Sequence, residues 1–199
     1  MKIALFGGAF NPIHNGHIEL INVFNDIVHF DKILIIPSKI SPHKSSEGLI
    51  DGKHRIKMCE FALENMDNAE VSSIEMKREG KSYTYYTIKQ LQKMYEKADI
   101  YLICGSDMFL TLNSWFNAEY ILKSCVICCS KRGDEADEKI NKQNEYLKSI
   151  GAKTIVIDGR IVPLSSTYIR EKLKKNDNCE KILPANVYNY IVENNLYSN

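Results

Sequence analysis

Short, uninterrupted apolar runs recur along this chain, and the segments between them carry helical spacing; that alternation constrains the fold more than any other feature. Ile3–Phe6 is the first run, and from Gly16 onward Ile18, Ile21, Phe24 and Val28 approximate one helical face. "KILIIPS" reads as a second strand stopped by Pro37, followed by a loop, "SKISPHKSSEGLIDG", and by a helix with Ile56, Cys59, Leu63 and Met66 on one side. A strand is expected around "AEVSSIEM", a helix over "TIKQLQKMY", and strands at "DIYLICG", "CVICCS" and "AKTIVID". A charged helical pattern from Glu135 to Ile150 precedes the last of these, and the tail holds two more helices. Parallel strands need long crossovers, usually helices, so the expected fold is α/β, a single doubly wound parallel sheet with C-terminal helices. At 199 residues the chain fits one domain spanning 1–199, with no internal repeat, low-complexity tract or flexible linker.

With 26 Lys+Arg against 25 Asp+Glu the formal net charge is +1, which supplies no long-range field for nucleic acid or a membrane surface. Neither partner is expected. The first apolar run is broken at once by Gly7-Gly8, too early for a signal-peptide core or a membrane span, so a cytoplasmic protein is expected. The six cysteines are scattered, and a strand would send Cys125 and Cys128 of "SCVICCS" to opposite faces. They therefore read as core residues and not as half of a zinc site or a redox pair.

In a doubly wound sheet, ligands bind beyond the carboxyl ends of the strands, where the strand order reverses. Gly7-Gly8, His43-Lys44, Gly105-Ser106-Asp107 and Lys131-Arg132 all fall there. The first is the most informative: in "GGAFNPIHNGHI", glycines let backbone N–H groups approach a phosphate, and the following helix start adds positive potential. The stretch is neither the G-x-G-x-x-G fingerprint nor a Walker A loop. His14 and His17 add two imidazole donors that can converge on one anion, and no Cys/His cluster at motif spacing offers a third metal ligand. No protein-held metal site is expected.

"GGAFNPIHNGH" resembles the G-G-[ST]-F-D-P-x-H-x-G-H signature of the nucleotidyltransferase superfamily with the (H/T)-x-G-H motif, and "PLSSTYIREKL" resembles its second signature, I-S-S-T-x-I-R. "SPHK", "REGKSYTYYTI" and "GSDMFLTLNSWFNAEYIL" are similar to stretches of the bacterial nicotinate-nucleotide adenylyltransferase (NadD) family, in the same order along nearly the whole chain. The resemblance implies a Rossmann-like nucleotidyltransferase fold. It also implies adenylyl transfer from ATP to nicotinate mononucleotide, giving nicotinate adenine dinucleotide and pyrophosphate in NAD biosynthesis.

That resemblance places His17 on the reacting phosphates, with His14 as companion and Lys44 and Arg170 completing a catalytic set. ATP would lie against Gly7, Gly8, Ala9, Phe10, His17, Gly105, Ser165, Ser166, Thr167 and Arg170. The mononucleotide would meet Lys44, Thr84 at its carboxylate, Asp107 at its ribose, Trp115 stacked on the pyridine, and Arg132. Mg²⁺ would arrive with ATP, shared by phosphate oxygens. By residue type alone, Lys44 reads first as a solvated loop lysine and Arg132 nearly as readily as an exposed cation, while Trp115 is more often core and Ser165-Ser166-Thr167 more often a helix cap. Three positions depart from the pattern: Ala9 stands for Ser or Thr, Asn11 for Asp, and Tyr86 for an Asp commonly found after "SYT". The alternatives are another acceptor, such as nicotinamide mononucleotide, and a catalytically silent nucleotide-binding module. The sequence does not give the oligomeric state.

Overall fold

The computed structural model describes residues 1–42, 48–131, 136–158 and 164–198. Along them run β1 (Lys2–Gly8), α1 (Asn15–Val28), β2 (Lys32–Pro37), α2 (Gly52–Ala62), β3 (Ala69–Val71), α3 (Thr84–Met94) and β4 (Asp99–Cys104). Then follow α4 (Ser106–Leu110), a 3₁₀ turn (Leu112–Ser114), α5 (Ala118–Ser124), β5 (Cys125–Ser130), α6 (Ala136–Ser149), β6 (Lys153–Ile157), α7 (Ser166–Lys174) and α8 (Ala185–Glu193). The strands form one parallel sheet in the order β3-β2-β1-β4-β5-β6, the doubly wound arrangement expected from the alternation.

Strand side chains alternate between two cores, as a period of two requires. Ala4, Phe6, Ile33, Ile35 and Cys128 face Leu20, Ile21 and Phe24 of α1, Met58 and Cys59 of α2, Ile169 of α7, and Val187 and Ile191 of α8. Ile3, Leu5, Leu34, Ile36, Leu102 and Ile127 face Ile88 and Leu91 of α3, Phe109 of α4, Ile121 of α5, and Ile140 and Leu147 of α6. Cys125 and Cys128 lie in opposite cores, and all six cysteines are buried and outside any disulfide. Burial pushes the Cys125 and Cys128 thiols up to about 12, so they behave as small hydrophobes.

Several elements differ from the sequence reading. β3 ends at Val71, because Ser72 N–H donates to Ile35 O (2.9 Å) as the last bond to the neighbouring strand and the chain then turns through Ser73–Lys77. α3 begins at Thr84, ahead of the "TIKQLQKMY" run. α2 buries Arg55, Met58 and Cys59, whereas Ile56 is half exposed, Leu63 is the cap residue and Met66 lies past the end. The polar Arg55 sits inside because carbonyl oxygens receive it there. Between β4 and β5, where no helix was expected, α4 and α5 are too short to register as helical periodicity. Among the described residues no helix is long and apolar enough to cross a membrane.

Candidate active site

β1 and β4 are adjacent at the centre of the sheet, yet β1 runs on into α1 on one face and β4 into α4 on the other. The crevice between their carboxyl ends is where such a sheet accepts a ligand. The segment leaving β1, Gly8 to His14, lines it.

In that segment a Cβ on Gly8 would lie 3.1 Å from the Phe10 ring, so only glycine fits without displacement. Phe10 is buried with φ of 44°, a left-handed conformation that costs a bulky residue on the order of 1–3 kcal/mol. Edge contacts to Phe6 (5.4 Å between centroids) and His17 (5.2 Å) hold it there. His14 caps α1, and its backbone N–H donates to Nδ1 of His17 (3.2 Å) while the two rings stack 3.6 Å apart. With Nδ1 accepting, the ring proton of His17 sits on Nε2, which makes that nitrogen a donor. Gly16 is buried beneath the pair: a Cβ there would come within 3.3 Å of His14 Nδ1 and 3.5 Å of Leu164.

Four carbonyls of this segment are committed to protein donors. Ser38 N–H donates to Gly8 O (2.8 Å), Arg55 Nη1 to Ala9 O (2.7 Å), Arg170 Nη1 to Asn11 O (2.9 Å) and Ser166 Oγ to Pro12 O (2.8 Å). Carbonyl oxygens repel phosphate, and engaging them in bonds elsewhere leaves a turn suited to an anion. Ser166 and Pro12 are 154 residues apart in sequence, so the two signature stretches meet here. At α7, Ser165 caps the helix by accepting from Tyr168 N–H (3.1 Å), and Thr167 Oγ1 accepts from Arg170 Nη2 (3.2 Å). The helix start, with its positive potential, thereby abuts the glycine turn.

On the other side of the switch point, Gly105 caps α4, and Asp107 in its first turn is exposed. Thr84 opens α3. Trp115 follows the 3₁₀ turn, half-buried, with Nε1 donating to Thr111 Oγ1 (3.4 Å). The neighbours of Thr84 and Trp115 touch: Phe116 lies 4.8 Å from the Tyr83 ring and 5.7 Å from that of Tyr85, so the two segments form adjoining walls. Behind them Thr87 donates to the buried Glu75 (2.6 Å) and accepts from Arg78 Nη2 (2.9 Å). Burial raises the Glu75 carboxyl, opposed by the bond from Thr87 and the nearby Arg78 charge. The Tyr86 ring lies under the Arg78 guanidinium at 5.8 Å, a cation–π contact.

Gly7, Gly8, Ala9, Phe10, His14, His17, Ser165, Ser166, Thr167 and Arg170 thus gather around one crevice, and Thr84 and Trp115 belong to adjoining segments beside the β4 end. Lys44 and Arg132 lie outside the described residues. Among the described residues no three His, Cys, Asp or Glu side chains are grouped to hold a metal ion.

Two contributors escaped sequence reasoning. Arg55, only 2% exposed, donates from Nη1 to Ala9 O and Ser38 O (both 2.7 Å) and from Nε to Ile50 O (3.1 Å), joining the ends of β1 and β2. Tyr197, near the end of the chain, donates its hydroxyl to Asn11 Oδ1 (2.8 Å). Nothing local marks either residue; an arginine at a helix start and a tyrosine in a polar tail both read as surface.

Comparison with known proteins bears on the fold and the family. The cytidylyltransferase-like family model matches residues 5–172. The chain is 35% identical over 197 residues to a Clostridium tetani protein named "Probable nicotinate-nucleotide adenylyltransferase", with 98% of each chain covered. It is 36% identical over 197 residues to a protein of the same name from Carboxydothermus hydrogenoformans, again covering 98% of each. In fold it matches Plasmodium falciparum nicotinic acid mononucleotide adenylyltransferase complexed with NaAD, with a TM-score of 0.80 at 22% identity, covering 98% of this chain and 97% of the other. A glycine turn closed by the start of α7 at the switch point of a 3-2-1-4-5-6 sheet, together with these relatives, places the chain in the nicotinate-nucleotide adenylyltransferase family of the cytidylyltransferase-like nucleotidyltransferases.

Proposed function

We infer that the protein transfers the adenylyl group of ATP to nicotinate mononucleotide, releasing pyrophosphate and forming nicotinate adenine dinucleotide for NAD synthesis. An oxygen of the acceptor phosphate attacks the α-phosphorus as the bond to the bridging oxygen of pyrophosphate breaks. The protein supplies no nucleophile, so positioning and charge stabilisation carry the rate. His17, its proton on Nε2, donates to the reacting phosphate, and His14 holds that ring by stacking and through its backbone N–H. Gly7, Gly8, Ala9 and Phe10 bring backbone close to the triphosphate. Ser165, Ser166, Thr167 and Arg170 meet it from α7, and Gly105 meets ATP at the β4 end.

Thr84 reads the acceptor carboxylate, Trp115 stacks on the pyridine and Asp107 takes the ribose hydroxyls, with Lys44 and Arg132 on phosphate. Mg²⁺ arriving with ATP and shared by its phosphate oxygens would offset the charge that develops on the leaving pyrophosphate. The reaction runs in the cytoplasm on these two small-molecule substrates. The observation that carries this reading is the bonding of Ser166 and Arg170 to Pro12 and Asn11, which joins the two signatures across one crevice.

Pyrophosphate release with ATP and Mg²⁺ tests it, comparing nicotinate mononucleotide, nicotinamide mononucleotide and phosphopantetheine. Preference for the first by about 5- to 150-fold is expected, because an unmatched polar group in a carboxylate pocket costs about 1–3 kcal/mol. Activity on another acceptor alone would move the substrate, and silence with all three would point to a binding module.

A further inference from the structure

Asn11 sits in the middle of the turn after β1 with 5% of its surface exposed, and both polar atoms of its side chain bond to protein groups. Nδ2 donates to Gly48 O (2.8 Å), while Oδ1 accepts from the Tyr197 hydroxyl (2.8 Å) and from Ile50 N–H (3.4 Å). Its carbonyl takes Arg170 Nη1 (2.9 Å). One residue thus joins the turn, the segment leading into α2, helix α7 and the end of the chain. The bonding pattern calls for an amide: a carboxylate could accept from Tyr197 and Ile50 but would have no proton for Gly48 O.

Tyr197 is equally unusual for its place. The residue is 9% exposed, and its φ is 66°, a left-handed conformation that bulky side chains rarely adopt. Burial pushes the phenol well above its ordinary range, although Arg170 and Arg55 oppose the shift, so the hydroxyl keeps its proton and stays a donor. Neither residue supplies chemistry to the transfer itself.

We propose that Asn11 is a positioning residue for adenylyl transfer, and that the C-terminal Tyr197 acts through it to set the turn that carries Phe10, His14 and His17. The proposal rests on the function inferred above. Phe10, one residue before Asn11, holds the edge of the His17 ring at 5.2 Å, so a displaced Asn11 moves the packing that aims His17. In-line transfer is sensitive to such shifts: a displacement of about 1 Å can cost about a hundredfold in rate.

The test uses the full chain as wild type, Tyr197→Phe, Asn11→Ala and the double variant. For each, kcat and the KM values for ATP and nicotinate mononucleotide are measured well below the lowest melting midpoint, with melting followed separately. Tyr197→Phe removes one oxygen, and its kcat is expected to fall about tenfold, with both KM values changing less than about threefold. The double variant should be no slower than Asn11→Ala alone, since both changes cut the same link.

A Tyr197→Phe kcat within about twofold of wild type, whatever its melting midpoint, would mean the tail is merely structural and would overturn the proposal. Losses that multiply in the double variant would overturn it too. If Asn11→Ala does not fold, Asn11→Ser takes its place and the kcat of Tyr197→Phe decides. A wild type silent with every acceptor defeats the function itself, whereas an active wild type with an unaffected Tyr197→Phe defeats only this inference.

Discussion

Replacing Arg55 by methionine keeps most of the side-chain volume while removing every hydrogen bond it makes. Wild-type Arg55 gives two bonds of 2.7 Å to Ala9 O and Ser38 O and one of 3.1 Å to Ile50 O. Bonds from a charged donor contribute about 1.5–3 kcal/mol each, so the two short ones alone amount to roughly 3–6 kcal/mol. Against this stands the cost of burying the guanidinium, which already lowers its proton affinity. Water reaching the freed carbonyls recovers part of the rest.

The net loss should be about 3 kcal/mol, which for a domain of this size corresponds to a fall in Tm of about 6–12 °C. Calorimetry and urea unfolding measure it directly. Arg55→Lys should recover less than half, because one ammonium cannot reproduce the fork that spans both carbonyls. A Tm for Arg55→Met within about 2 °C of wild type, or full recovery by lysine, would refute the idea that this residue staples the ends of β1 and β2.

Three other perturbations probe separate parts of the site. His17→Ala should lower kcat by about a hundredfold or more with the fold intact, the usual loss on removing one transition-state donor, and unchanged turnover would take His17 out of the mechanism. Trp115→Ala should raise KM for the mononucleotide and leave that for ATP nearly unaltered; equal effects on both would make the indole a wall of the fold and not of the acceptor site. Glu75, whose carboxyl burial raises, favours the folded state most fully below the ordinary carboxylate range and loses that contribution as pH climbs through its raised value. Glu75→Gln should therefore gain Tm relative to wild type as pH rises above about 4, and a gap that stays constant with pH would contradict that sign.

Period and local chemistry made much of the site legible. Gly8 must be small because the Phe10 ring is next to it, and its place directly after an apolar run announces a turn before any contact is known. The parity of a strand likewise separates Cys125 from Cys128. Legibility failed where hydrogen bonding decides against hydrophobic pattern. The half-apolar "AEVSSIEM" looks like a strand throughout, but only its first three residues pair with β2, and Glu75 is drawn into a polar cluster with Thr87 and Arg78.

By itself the sequence determined the alternation of strand and helix, the parallel doubly wound sheet that follows from it, and the concentration of glycine and histidine at the end of β1. These rest on contacts between near neighbours, whose spacing the chain carries openly. Tertiary structure alone decided that Ser166 and Arg170 bond to Pro12 and Asn11, that Arg55 enters the core, and that Tyr197 returns to the first turn. A buried donor is satisfied by whichever carbonyl packing brings within about 3 Å, and that pairing exists only once distant segments have closed on one another.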